Sequence, residues 1–329
     1  MNTHRQPSGG LIDRSQPLHF TFDGASYVGY AGDTLASALL ANGVHRVATS
    51  TLYGRPRGIL AAGTEEPNAL VRVAGSAGAA AQPMTQATVT PLYEGLRASG
   101  LAAGKGRLDQ PGPGATGTTE RYDAVHAHCD VLVVGAGPAG LAAAHAAART
   151  GARVLLLDDQ TEPGGGLLGA TETIDGRPAL DWVRRTTRLL ARHPETRVLS
   201  RTSVLGYYDH HYLVAAQRFD RPAPGGPRER LWQLRARHVV LATGAQERPL
   251  LFAGNDLPGV MLAHAARTYL NQYAVLPGRR AVVCTTNDSA YPAALELAEA
   301  GVRIERVVDA RPAAPAPWAE RCAARGIAV

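Results

Sequence analysis

The stretch VLVVGAGPAGLAA at residues 131–143 constrains the fold more than any other part of this chain. Val131 to Val134 are apolar without polar alternation, as in a parallel strand buried on both faces. Gly135, Gly137 and Gly140 follow at once in the spacing G-x-G-x-x-G, and LAAAHAAART then reads as an alanine-rich helix closed by Gly151. Each glycine has its own task. Gly135 makes a tight turn, Gly137 lets the backbone approach a diphosphate, and Gly140 lets the helix lie against the strand. The helix N-terminus offers unpaired N–H groups and a partial positive charge to phosphates. The run ARVLLLDD supplies a second buried strand ending at Asp158 and Asp159, with Asp158 18 residues beyond Gly140. A carboxylate there can accept hydrogen bonds from an adenosine ribose and disfavours a 2′-phosphate. These elements in this order predict a Rossmann unit for an adenine dinucleotide, NAD or FAD, with NADP disfavoured.

With 329 residues and roughly 150 residues per domain as a guide, two or three domains are expected. Residues 1–16 read as a disordered N-terminus. Residues 17–96 read as a small β-grasp, ferredoxin-like domain. LHFTFDGASYVGY alternates around Asp23-Gly24 as a hairpin, Asp33 or Thr34 caps the helix LASALLAN, and NALVRV and TQATVT offer two more strands. That domain holds no cysteine. The expectation is therefore that no iron–sulfur cluster sits in it, since such clusters take cysteine thiolates. Residues 97–122, rich in glycine, proline and polar side chains, read as a linker.

A first dinucleotide-binding (FAD/NAD) domain is expected over 123–255. After Asp159 the loop QTEPGGGLLG again brings glycines near the ligand, and LDWVRRTTRLLARHP forms a helix with an arginine-rich solvated face. TRVLS is a third parallel strand. SVLGYYD, YLVAAQRF and RLWQLRA form an antiparallel meander, and HVVLATGA is a fourth parallel strand running into Thr243-Gly244. A meander placed there is characteristic of two-dinucleotide flavoproteins. From 256 to 329 the pattern partly repeats as an incomplete second Rossmann-like domain. RRAVVC, SAYPAALELAEAG and RIERVVDA make strand, helix and strand, but the loop TTNDS lacks glycine. The fold class is thus α/β: a two-dinucleotide-binding, flavoprotein-like Rossmann domain with a β-meander, preceded by the β-grasp segment.

Composition narrows the partners. The net charge of +6 comes from arginines scattered among acids, with no basic block or aromatic signature for nucleic acid. Cys129, Cys284 and Cys322 stand far apart, so no C-x-x-C redox centre or zinc framework is available, and a reducing cytoplasm is expected. No apolar run approaches membrane-spanning length. No metal cluster and no nucleophile–base pair stands out. The catalytic residues stay unknown at this level, and the hard chemistry falls to cofactors. Arg55 and Arg57, on a proline-containing turn, read equally as a phosphate grip or as a solvated loop.

Together GDTLASALLANGV, RPRGILAAGTEEPNALV, DDQTEPGGGLL, SVLGYYDHHYL, LATGAQERPLLFAGNDLPGVM and CTTNDSAYPAALELA resemble the alpha subunit of heterotetrameric sarcosine oxidase. The resemblance covers nearly the whole chain and an N-terminal portion of that subunit, without its distal folate-binding domain. It implies oxidation of N-methylglycine to glycine with oxygen and release of hydrogen peroxide. It further implies a held NAD, an FMN at a subunit interface, and beta, gamma and delta partner subunits. By the same resemblance Gly135, Ala136, Gly137, Pro138, Ala139, Gly140, Asp158, Asp159, Gln160, Gly165, Val204, Thr243 and Gly244 are the dinucleotide contacts. Val204 is included because such meanders place backbone groups against adenine. One departure is YGRPRG at 53–58, where family members often carry a histidine. The competing classes are a stand-alone FAD-dependent NAD(P)H reductase of the thioredoxin-reductase type and a nucleotide-stabilised scaffold.

Overall fold

The computed structural model describes residues 4–75, 81–101, 121–219 and 226–329. The chain forms two compact units, one of residues 1–117 with 246–329 and one of residues 118–245.

The first unit begins with β1 (Asp13–Phe22) and β2 (Ala25–Ala31), an antiparallel hairpin. Asp23 and Gly24 both have positive φ, 49° and 81°, the pairing that a tight two-residue hairpin turn demands. Helix α1 (Leu35–Ala41) is opened by a capping box: the Thr34 side chain accepts the Ser37 N–H, and the Ser37 hydroxyl accepts the Thr34 N–H. Such a cap contributes about 1 kcal/mol. Asp33 is drawn elsewhere, into a buried fork with Arg5 at 3.0 and 2.7 Å. Residues 4–16, read from sequence as a disordered start, thus carry ordered bonds. Gln6 N–H also donates to Ala274 O at 2.8 Å.

Strands β3 (Leu70–Val73), β4 (Gln82–Gln86) and β5 (Leu96–Gly100) complete a mixed sheet in the order β2-β1-β5-β3-β4. The ferredoxin-like shape is the one expected, but the sheet has five strands where the alternating segments predict four. TQATVT is in strand only at Thr85 and Gln86, and β5 is added where the linker reading begins. The core beneath it gathers Phe20, Phe22, Leu35, Leu39 and Leu96 together with Tyr269 and Tyr273 from the C-terminal stretch. Glu66 holds the bend before β3. Its buried carboxylate accepts the backbone N–H groups of Leu60, Ala61, Asn68 and Ala69 at 2.6–2.8 Å. A buried charge persists only when satisfied in this way. The linker expected at 97–122 falls largely on 102–120, outside the described residues; its first residues belong to β5.

The second unit is the Rossmann part. Its elements are β6 (Tyr122–Val134), α2 (Pro138–Ala148), β7 (Val154–Leu157), α3 (Ala179–Leu190), β8 (Thr196–Leu199), β9 (Thr202–Tyr208), β10 (Tyr212–Arg218) and β11 (Glu229–Leu241). They form one six-stranded sheet in the order β8-β7-β6-β11-β10-β9. β6, β7, β8 and β11 are parallel, and β9–β10–β11 is the predicted meander. One difference from the sequence reading concerns β11. RLWQLRA and HVVLATGA are expected as separate strands, yet Glu229 to Leu241 run as one, paired in parallel with Tyr122 to Val134. No glycine or proline interrupts that run, so nothing breaks the pleat. Both sheet faces are covered. Leu141, Ala144, Val183 and Leu190 pack on one face, and Trp232, Leu213 and Leu234 fill the other. Buried Trp232 satisfies its indole N–H by donating to Gln217 Oε1 at 2.9 Å.

The stretch 246–329 carries α4 (Ala263–Tyr273), β12 (Arg280–Thr285), α5 (Tyr291–Glu299), β13 (Arg303–Asp309) and α6 (Ala316–Ala323). β12 and β13 are parallel, as the partial repeat predicts.

Candidate functional site

The site lies at the carboxyl ends of β6, β7 and β11, where an open parallel sheet places its ligand crevice. Gly135 leaves β6 with φ +99°, a backbone that L side chains rarely adopt, and a Cβ there would stand 2.3 Å from Ala242 O. Its N–H donates to Leu157 O at 2.7 Å, closing the turn between neighbouring strands. Gly140 sits under the turn, where a Cβ would collide with Gly135 O at 1.8 Å. Gly137 is the N-cap of α2, with no side chain on the helix end and Pro138 in the first turn. Pro138 and Ala139 are exposed, and Gly140 is buried. The nearest atom to a Cβ on Gly137 is Gly165 Cα, at 4.0 Å. The space above the helix start is thus open, and a side chain at 137 would occupy it. That is the fit expected for a diphosphate cradle.

The second glycine loop completes the cradle. Gly164 has φ 142° and Gly165 φ 54°, and a Cβ on Gly165 would meet Gly137 Cα at 2.9 Å. Gly164 N–H donates to Ala136 O at 2.9 Å. The sequence reading singled out Gly165 and missed Gly164 and Ala242. The run of three glycines was the available signal for the first; Ala242 acts through its carbonyl, which leaves no trace in residue type.

Asp158 is buried, and its carboxylate accepts the Ala136 N–H at 2.5 Å and the Gln160 N–H at 2.9 Å. Burial pushes its pKa up, opposed by these two backbone bonds. Asp159 and Gln160 are exposed. Thr243 and Gly244, also exposed, follow β11, and Thr243 Cα would lie 3.4 Å from a Gly135 Cβ. Val204 stands in β9 at an irregularity of its pairing with β10. Thr202, two residues earlier, donates its N–H to Asp158 O at 2.7 Å. Backbone hydrogen bonds and close approaches thus join Gly135 to Gly140 with Asp158, Gln160, Gly164 and Gly165. Thr243 lies beside Gly135, and Val204 is tied to them only through Thr202.

The second Rossmann-like half is built differently. Asp309, at the end of β13, is gripped by Arg311 at 2.6–3.2 Å and accepts the Tyr291 hydroxyl at 2.8 Å. Arg311 also pairs with Asp288 in the glycine-free loop at 2.8 Å. Side chains lie there in place of open glycine backbone. Among the described residues, no group of three His, Cys, Asp or Glu is placed to hold a metal. Arg55 and Arg57 both pair with Asp256, at 2.6 Å for Arg55, so the loop carries internal ion pairs.

Residues 129–324 match the model of the pyridine nucleotide-disulphide oxidoreductases. The chain belongs to that family. Over 95% of its length it is 46% identical to the sarcosine oxidase subunit alpha of Rhizobium meliloti (strain 1021), covering 36% of that protein. It is 50% identical to the same subunit of Corynebacterium sp. (strain P-1) over 96% of its length, covering 33% of that protein. It is thus a homologue of the N-terminal portion of sarcosine oxidase alpha subunits and spans about a third of their length. Among solved structures, L-proline dehydrogenase from P. horikoshii shares the fold, with TM-score 0.69 and 24% identity over 94% of this chain and 55% of that one.

Residues 15–101 match a 2Fe-2S iron-sulfur cluster binding domain. That match corrects the expectation of no iron–sulfur cluster: this segment is similar to cluster-binding domains. The residues present do not fit the usual donor set, because Cys129, Cys284 and Cys322 all lie outside 15–101. Counting cysteines addressed the ligands and not the ancestry of the segment.

Proposed function

We propose that this chain is the dinucleotide-binding part of an amine-oxidising subunit that works in a complex, with sarcosine as substrate. The observation that carries the nucleotide reading is the open space at Gly137, bounded by Gly165 and set at the start of α2. Backbone N–H groups at that helix start hold a diphosphate, and Asp159, the exposed carboxylate after β7, meets the ribose. The substrate reading is supported by the identity of 46–50% to sarcosine oxidase alpha subunits. A bound dinucleotide supplies redox chemistry that no side chain of this crevice offers. The residues of the chain position it. Gly135 and Gly140 bring strand and helix together, Gly137 and Gly165 admit the diphosphate, and Thr243-Gly244 turns the chain away beside it.

In the proposed overall reaction sarcosine, oxygen and water give glycine, formaldehyde and hydrogen peroxide. The amine C–H and N–H lose two electrons and two protons, and oxygen takes up both. The partners proposed are beta, gamma and delta subunits, and the compartment proposed is the cytoplasm. Within the described residues no helix is long and apolar enough to cross a membrane. The arginine-bridged second half weighs against a stand-alone NAD(P)H reductase, which needs a second nucleotide site.

Denaturing the purified chain and identifying the released small molecule tests the site. NAD or FAD in the supernatant is expected; release of neither, with no calorimetric heat from either, removes the reading. Co-expression with the partner subunits tests the activity. Peroxide is expected from the complex only, and sarcosine oxidation by the isolated chain would overturn the subunit role.

A further inference from the structure

We propose that Asp158 is a positioning residue: by accepting the Ala136 N–H it joins both glycine loops and the β8–β9 link into one rigid cradle. The proposal rests on the dinucleotide reading above and assigns Asp158 a task apart from ribose recognition.

Four bonds converge on this residue. Its Oδ2 accepts the Ala136 N–H and its Oδ1 the Gln160 N–H. Its own N–H donates to Leu199 O at 3.0 Å, and its carbonyl accepts the Thr202 N–H at 2.7 Å. Ala136, held by Asp158 on one side, accepts the Gly164 N–H on the other at 2.9 Å. Three of the segments that meet the dinucleotide in the proposed site leave from this junction; Thr243-Gly244, after β11, does not. Gly135 to Gly140 leave through Ala136, Gly164 and Gly165 through the Ala136 carbonyl, and Val204 through Thr202.

The chemistry explains why an acid stands there. A buried carboxylate beside an anion site is unfavourable unless it is fully used, and here it receives two N–H groups. Because the Ala136 N–H turns inward to Asp158, it is not among the donors left for phosphate. Asparagine cannot replace the acid. Two N–H groups ask for two acceptor oxygens, and an amide offers one oxygen and a donor that must face one of them. Asp159, the next residue, is exposed and is the neighbouring charge acting on Asp158. The two adjacent carboxylates therefore divide the work, one toward backbone and one toward the surface.

Calorimetric titration of NAD and of FAD into the purified full chain tests this, with D158N and D159N compared with wild type. D158N is expected to weaken whichever dinucleotide binds by about tenfold or more, the scale of one buried N–H bond lost. A second measurement does not depend on D158N folding: the Ala136 amide proton of the wild-type chain, followed by NMR from neutral to acid pH. It is expected to shift as Asp158 titrates, and to shift in D159N as well. Unchanged affinity in D158N, or an Ala136 amide indifferent to pH, overturns the positioning role while the dinucleotide site stands. No binding of either dinucleotide by wild type overturns the site itself, and the positioning role with it.

Discussion

A Cβ on Gly140 would stand 1.8 Å from the carbonyl oxygen of Gly135, whereas a Cβ on Gly137 would meet nothing nearer than Gly165 Cα at 4.0 Å. Two glycines of one motif therefore serve different ends, helix–strand packing for one and access for a ligand for the other.

The corresponding alanine variants should separate. Gly140→Ala forces backbone apart and is expected to cost about 3 kcal/mol of stability, in the range of overpacked cores. Gly137→Ala, at φ −70°, is expected to leave the ligand-free chain within about 0.5 kcal/mol of wild type. It should nevertheless lose dinucleotide affinity, because its methyl enters the cradle. Chemical denaturation and calorimetry check the pair; equal stability losses in the two variants would contradict the division of labour.

The Arg311 guanidinium beside Asp309 holds that carboxyl well below the usual carboxylate range. A depressed folded pKa adds stability above the unfolded value, and that stability is lost as pH falls through the folded one. Arg311→Ala removes the cause. The gap in melting temperature between wild type and the variant should be widest near neutral pH and close in acid. A gap that stays constant across pH would show that the ion pair is not its origin.

The three thiols should react at different rates. Cys284 is exposed, and Cys129 and Cys322 are buried. Burial pushes the Cys129 thiol up to about 11 and raises Cys322 as well, so neither presents thiolate near neutral pH. One fast-labelling thiol per folded chain is expected with a thiol-specific reagent, and three after denaturation. Peptide mapping that places the fast label on Cys129 would contradict the burial pattern.

Much of the fold was legible in the residues. Asp23-Gly24 between alternating runs marks a hairpin because few residue pairs accept two successive positive φ values. Thr34 was one of two candidate caps, and only the structure shows Asp33 diverted to Arg5, 28 residues earlier. The three-glycine motif, the carboxylates after VLLL and the meander are likewise readable, because each follows from local sterics or period. Glu66 was not readable as an anchor. Its four N–H partners lie within six residues along the chain, yet only the folded bend turns them toward one carboxylate.

By itself the sequence determined where the backbone must turn, which runs are buried on both faces, and that a glycine-lined helix start follows the carboxyl end of the first parallel strand. Those properties depend on the presence or absence of a Cβ and on apolar period, which are local. Tertiary structure alone decided that Asp158 turns inward to Ala136, that Arg311 bridges Asp288 and Asp309, and that Glu229 to Leu241 form one unbroken strand. Each of these depends on which partner a polar group or strand edge finds, and that partner is supplied by chain folded back from elsewhere.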